Sequence, residues 1–324
     1  MHWARIGETG FLGGIRFLHW VYRYGGIWLF RAVLCLVMPW FFLSNSVARR
    51  ASLEYLARLR ETSGGATPAA NKWNAFRHFM SFGENVLEKL IVADVRENVR
   101  NPVGAEGLES LHRLVDEGRG VLVVSAHFGN LMFLHRLWRN QRAHVRFTLF
   151  AHTRHAGRFN RFLHSLNPEM EIDLIQADNV DVGTAMLLSE RVAAGGIVVF
   201  TGDRVPVTLG SKATVAAPFL GREAHFPAGP YVLAAALGCP MFMVFSARCR
   251  EGFSVTARQL AERVVLPRRE REAAIRTYLA TYVAALTEVC VKYPLQWFNF
   301  YPFWRDPAGE PNPAPDEKPS KPLA

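Results

Sequence analysis

GRGVLVVSAHFGN, residues 118–130, decides the fold class. GVLVVSA (120–126) is a short run with three valines and no charged residue, apolar at successive positions rather than alternating. Both faces of such a strand must be buried, which places it inside a sheet covered by helices. The chain then turns at HFGN, and a helix is predicted over 129–140. Working outward, VRFTLFA (145–151), MEIDLIQ (170–176), IVVFTG (197–202), PMFMVFSA (240–247) and FSVTA (253–257) repeat the strand pattern. Helical patterns at 180–194 and 228–237 lie between them and one at 268–293 follows, opening after Pro267, as proline at a helix start allows. Strands alternating with helices predict an α/β domain with a mostly parallel central sheet flanked by helices. Sites in such sheets lie at the carboxyl ends of the strands.

Upstream, Trp73, Phe76, Met80, Gly83, Leu87, Leu90 and Ile91 recur every three or four residues, the spacing of a helix with one buried face. Before it, TSGGATPAANK (62–72) is small and polar and is expected to be a linker. The expected organisation is an N-terminal segment over 1–61, the linker, an α/β domain over 73–306 and a Pro-rich disordered tail over 307–324.

The whole chain has 324 residues, half of them apolar, 20% charged, with a net charge of +10. That balance excludes wholesale disorder, and most of the chain lacks the apolar runs of about 20 residues that a multi-span membrane protein needs. The charge is uneven. Residues 1–60 carry eight arginines against Glu8 and Glu54, +6 of the total. Trp20, Tyr22, Tyr24, Trp28, Trp40 and their aromatic neighbours lie among these arginines, the pairing suited to a lipid headgroup boundary. From Gly25 to Leu43 only Arg31 is charged, and the stretch after it, Ala32 to Leu43, is too short to cross a bilayer alone. A helix or hairpin in one leaflet is therefore expected, with Arg49 and Arg50 at the cytoplasmic surface; an ordinary core helix with basic caps is the other reading. The clustering beside aromatics argues against nucleic acid as the partner. MHWARIGETG lacks the pattern of a cleavable signal peptide, and Cys35, Cys239, Cys249 and Cys290 form no CxxC motif, which suits a reducing compartment.

Three places can carry chemistry. His127 follows a strand end, with Gly129 and Asn130 opening a helix; neutral imidazole suits proton abstraction, and free N–H groups at a helix start suit an oxyanion or phosphate. A structural hydrogen-bonding histidine is the plainer alternative. Asp203 and Arg204 in FTGDRVPV (200–207) follow a second strand, either facing the same crevice or merely capping a turn. Arg154, Arg158 and Arg161 in HTRHAGRFNRF (152–162) suit an anion, or form a solvated basic face. Seven histidines crowd the middle third, at 112, 127, 135, 144, 152, 155 and 164, yet none has cysteines or acids at zinc-finger or HExxH spacing, so no metal is expected.

GRGVLVVSAHFGN, FTGDRVPV, APFLGREAHFPAGP (217–230) and PLQWFNFYPFW (294–304), in this order, resemble the lysophospholipid acyltransferase superfamily. Within it they are most similar to the bacterial late acyltransferases of lipid A and to acyltransferases of aryl-polyene-type lipid gene clusters. The resemblance implies acyl transfer from an acyl carrier protein or coenzyme A thioester to a hydroxyl of a lipid or glycolipid. No cofactor beyond that co-substrate is implied, and the setting would be the cytoplasmic face of the bacterial inner membrane. His127 would be the base and the turn at Gly129 and Asn130 would lie beside the thioester. Phe226, Pro227 and Gly229 would shape the acceptor site, and Arg158 and Asn160 would hold a phosphate or carrier arm.

The sequence departs from this family at one position. The motif places Asp or Glu five residues after the histidine, and Met132 stands there. A thioether carries no charge and accepts hydrogen bonds weakly. Three readings follow: another carboxylate serves, Asp203 first and Glu84 second; His127 acts without one; or catalysis is lost and the chain binds lipid or carrier only.

Overall fold

The computed structural model describes residues 11–93, 102–141, 145–151, 172–176, 182–205 and 214–304. Three helices open it: α1 (Phe11–Ser44), α2 (Ser46–Thr62) and α3 (Lys72–Ala93). The α/β part follows as β1 (Gly104–Glu106), α4 (Leu108–Asp116), β2 (Val121–Ser125), α5 (Leu131–Gln141), β3 (Phe147–Ala151) and β4 (Ile172–Gln176). It continues with α6 (Val182–Ala193), β5 (Ile197–Thr201), β6 (Thr214–Phe219), β7 (Arg222–Pro227), α7 (Gly229–Leu237), β8 (Met241–Cys249), β9 (Gly252–Ala261) and α8 (Arg271–Lys292).

Among the described residues seven strands form one sheet in the order β1-β9-β8-β2-β5-β3-β4. β8, β2, β5, β3 and β4 pair in parallel, while β9 returns antiparallel to β8 with β1 parallel beside it. The mixed α/β class with a mostly parallel sheet is as expected from the sequence. All five residues of β2 are buried, because the strand sits between β8 and β5. Leu122 and Val124 face a core shared with α1, α2, α3 and α8; Val121 and Val123 face a second core under α4 and α5. The strand therefore has no polar face.

The N-terminal helices join the larger core. Phe30, Leu34, Met38 and Phe42 of α1 are buried with Tyr55 and Leu59 of α2 and Phe79 of α3. Residues 63–71 connect α2 to α3 compactly: the Arg60 side chain donates to the Thr67 carbonyl at 2.5 Å, and Thr67 is buried. α1 is helical through Arg31, whose guanidinium lies 3.2 Å from Glu84 of α3. Its bend falls at Gly26, with φ +69°. Arg16–Ser44 is long and apolar enough to cross a membrane by length and composition. Trp20, Tyr24, Trp28, Leu36, Trp40 and Leu43 all point out of the protein from this helix. Trp73, expected on the buried face of α3, is 66% exposed, because the buried face at this end of the helix is the one that carries Ala75 and Phe79. The four cysteines are free.

Candidate active site

β2 and β5 are parallel neighbours that end in register, Ser125 opposite Thr201. Their next residues therefore emerge side by side at the carboxyl edge, which brings His127 and Asp203 together. The Asp203 Oδ1 lies 2.8 Å from His127 Nδ1, and Oδ2 accepts the His127 backbone N–H at 2.9 Å. Oδ2 accepts two more bonds, from Trp297 Nε1 at 3.0 Å and Asn299 Nδ2 at 2.7 Å. Asp203 is fully buried, while 30% of the His127 side chain is exposed. A carboxylate facing Nδ1 fixes the proton there and leaves Nε2 as the free base.

The turn carrying His127 is tied on every side. Phe298 N donates to the His127 carbonyl at 2.8 Å, Gly129 N to the Gln296 carbonyl at 2.8 Å and Asn130 N to the Ser246 carbonyl at 3.1 Å. Gly129 has φ +52°, and a Cβ there would fall 1.7 Å from the Ser246 oxygen; only glycine fits. On the other turn, a Cβ at Gly202 would lie 2.6 Å from a Val124 methyl. Asn130 is wholly buried and its Oδ1 accepts the Met132 amide at 3.0 Å, capping α5.

The Met132 side chain packs on the second core. Glu84 does not serve His127: it pairs with Arg31 and Arg248. Arg204 donates to Asn299 Oδ1 at 2.8 Å and to the Phe298 carbonyl at 3.0 Å, and stacks over Tyr301. Phe226 is completely buried against Phe219, Tyr282 and Phe303. Pro227 ends β7 and Gly229 begins α7. Arg154, Arg158, Asn160 and Arg161 lie outside the described residues, as do His144, His152, His155 and His164. Among the described residues no group of three metal-ligating side chains comes together.

Burial, then the Arg204 cation, lower His127 from its ordinary value to about 4 against the opposing pull of Asp203. The imidazole is therefore neutral at pH 7. Burial pushes Asp203 upward, but His127 and Arg204 outweigh it and hold the carboxyl below its usual range. Burial and Arg204 bring Lys89, on α3, down to about 8.

Trp297, Asn299, Asn85 and Lys89 were not singled out from the sequence as site residues. Asn85 Nδ2 donates to the Gly129 carbonyl at 2.8 Å. For Asn299 a signal exists: it is the polar interruption in the aromatic run WFNFYPFW.

A base at one strand end, oriented by a buried carboxylate from the next, defines an α/β protein built to take a proton from a nucleophile. The model of the bacterial lipid A biosynthesis acyltransferases matches residues 18–306. The chain belongs to that family. No curated protein matched the sequence.

Proposed function

We propose that the protein is a membrane-associated acyltransferase that moves a fatty acyl group from an acyl carrier protein or coenzyme A thioester to a hydroxyl of a lipid or glycolipid. The observation that carries this reading is the 2.8 Å contact between His127 Nδ1 and Asp203 Oδ1. His127 Nε2 takes the proton of the acceptor hydroxyl as its oxygen attacks the thioester carbonyl. The tetrahedral intermediate collapses, the C–S bond breaks, and the thiol leaves with a proton returned by the imidazolium. Asp203 orients the ring and stabilises its charged form, the part the family motif gives to the acid missing at Met132. The non-catalytic reading drew its support from that missing acid; Asp203 supplies one from another strand.

The exposed aromatic face of α1 supports contact with a membrane surface, with Trp20, Tyr24, Trp28 and Trp40 at headgroup level. The inner face of α1 is packed on protein, which favours a helix lying against one leaflet over one surrounded by lipid. The cytoplasmic side of the inner membrane, where acyl thioesters are found, is the proposed setting. His127→Ala tests the reading: transfer from a long-chain acyl carrier thioester should vanish, and undiminished turnover would overturn the assignment.

A further inference from the structure

From the sequence, free N–H groups at the helix start after His127 suit an oxyanion; in the structure most of them are already bonded. Gly129 N donates to the Gln296 carbonyl, Asn130 N to the Ser246 carbonyl, Met132 N to Asn130 Oδ1 and Phe133 N to the Asn130 carbonyl. Of this run only the Leu131 amide is left. A thioester carbonyl under attack gathers negative charge on its oxygen, and sites that stabilise such a charge aim several preorganised donors at it. Two cations act on His127, Arg204 and Lys89. Arg204 gives Nε to Asn299 Oδ1 and Nη2 to the Phe298 carbonyl, which turns its fork toward the closing segment. Lys89 is half-buried, and among the described residues no hydrogen bond or ion pair holds its ammonium.

The place of Lys89 on α3 aims it at the same turn. His78, Phe82, Asn85 and Lys89 follow one another at four, three and four residues, a single stripe along the helix. His78 Nε2 meets the Trp297 carbonyl at 3.0 Å, the Phe82 ring packs on Phe298 at 5.6 Å and Asn85 Nδ2 donates to the Gly129 carbonyl at 2.8 Å. The stripe thus lies along the segments that frame His127, with Lys89 one turn beyond Asn85. Helical side chains lean back toward the N-terminus, so the lysine stem reaches over the Asn85 turn toward Gly129. We infer that Lys89 is the cation that stabilises the oxyanion of the tetrahedral intermediate, a further catalytic residue of the proposed acyl transfer, on which reading this inference rests. As the acceptor oxygen bonds to the carbonyl carbon, the π pair of the carbonyl moves onto its oxygen beside the ammonium. Lys89 keeps its proton throughout, and the pair returns when the C–S bond breaks. Burial and Arg204, opposed by Glu88, bring the ammonium to about 8, so it is charged at pH 7 and loses its charge above pH 8. Of the other helices packed on α3, α1 carries Arg31, ion-paired to Glu84, and α5 carries His135 and Arg136.

The test uses the full chain and follows the thiol released from palmitoyl-coenzyme A and from palmitoyl acyl carrier protein, with vesicles of a bacterial inner-membrane lipid extract as the source of acceptor. Lys89→Met keeps the length of the stem without the charge and should lower kcat about 10²-fold or more, the scale of one oxyanion donor lost, with the KM for thioester little changed. The wild-type kcat should fall above about pH 8. Lys89→Arg, whose guanidinium stays charged, should be more active than Lys89→Met and should lose that alkaline limb, which a merely structural lysine would not produce. If Lys89→Met does not fold, the wild-type limb and Lys89→Arg decide. Undiminished turnover in Lys89→Met, a wild-type kcat that stays level beyond that pH, or a raised KM with kcat unchanged, the mark of a contact made equally in the ground state, would overturn the role of Lys89 and leave acyl transfer standing. No thiol release above the His127→Ala level from either thioester would overturn acyl transfer itself, and the role of Lys89 with it.

Discussion

The turn after β2 and the turn after β5 meet at the site but hold their shape differently. Residues 127–130 are fixed by backbone, through bonds to Gln296, Phe298 and Ser246 and a glycine that no other residue can replace. At residues 201–204 a side chain is the centre, with Asp203 gathering donors from His127, Trp297 and Asn299. The base is therefore held through its backbone and the acid through its side chain, and both lean on the distant segment 296–299. In the family motif both would lie on one helix start. Here Met132 occupies that position and packs on the second core, on the other side of the sheet from Leu122 and Val124.

Exchanging the acid breaks this contrast most sharply. Asp203→Asn should keep the volume and lower kcat by about 10⁴-fold, as in other enzymes whose orienting carboxylate becomes an amide. Activity within tenfold of wild type would show that Asp203 is not the orienting group. Trp297→Phe removes one donor to a buried carboxylate and should cost about 1.5–3 kcal/mol in urea unfolding; an unchanged midpoint would mean that the closing segment does not hold Asp203. Met132→Glu places a carboxyl group against an apolar core and should cost at least about 1–3 kcal/mol, the scale of an unpaired polar group, without raising transfer. A clear gain in rate would put the acid back where the family motif has it.

The acid limb of activity sharpens the same contrast. Because the free base of His127 persists down to about pH 4, kcat/KM should stay level from pH 7 to about 5 and fall only below that. A limb near 6.5, the ordinary histidine value, would mean that burial and Arg204 do not act on the ring. His78, buried between Ser52 and the Trp297 carbonyl, is also lowered to about 4 by burial. Both histidines take up protons more readily unfolded than folded. Stability should therefore be full above pH 6.5 and decline as pH falls toward 4.

The central strands were legible because β2, β5 and β8 are buried on both faces and so have nearly uniform apolar sequences. The β6–β7 hairpin was not. Its two turn residues are Leu220 and Gly221, both at positive φ (+49° and +77°). Such tight turns usually announce themselves with Asn-Gly or Asp-Gly. Leucine at positive φ is tolerated because its side chain is buried in the core, a tertiary cause invisible locally. His127 and Asp203 were legible as residues just past strand ends, with a shared crevice as one of the two readings open for Asp203. The partners of Asp203 were hidden because Trp297 and Asn299 lie about ninety residues further along, in a run that looks like core.

That distance also orders events during synthesis. α1, with its outward aromatics, emerges from the ribosome before the α/β part. Asp203 emerges long before Trp297 and Asn299, and until they arrive two of its hydrogen bonds, along with the bonds that pin the His127 turn to residues 296–298, are missing. The pairing of His127 with Asp203 is thus completed late in synthesis, and residues 296–299 act as the final latch on both turns.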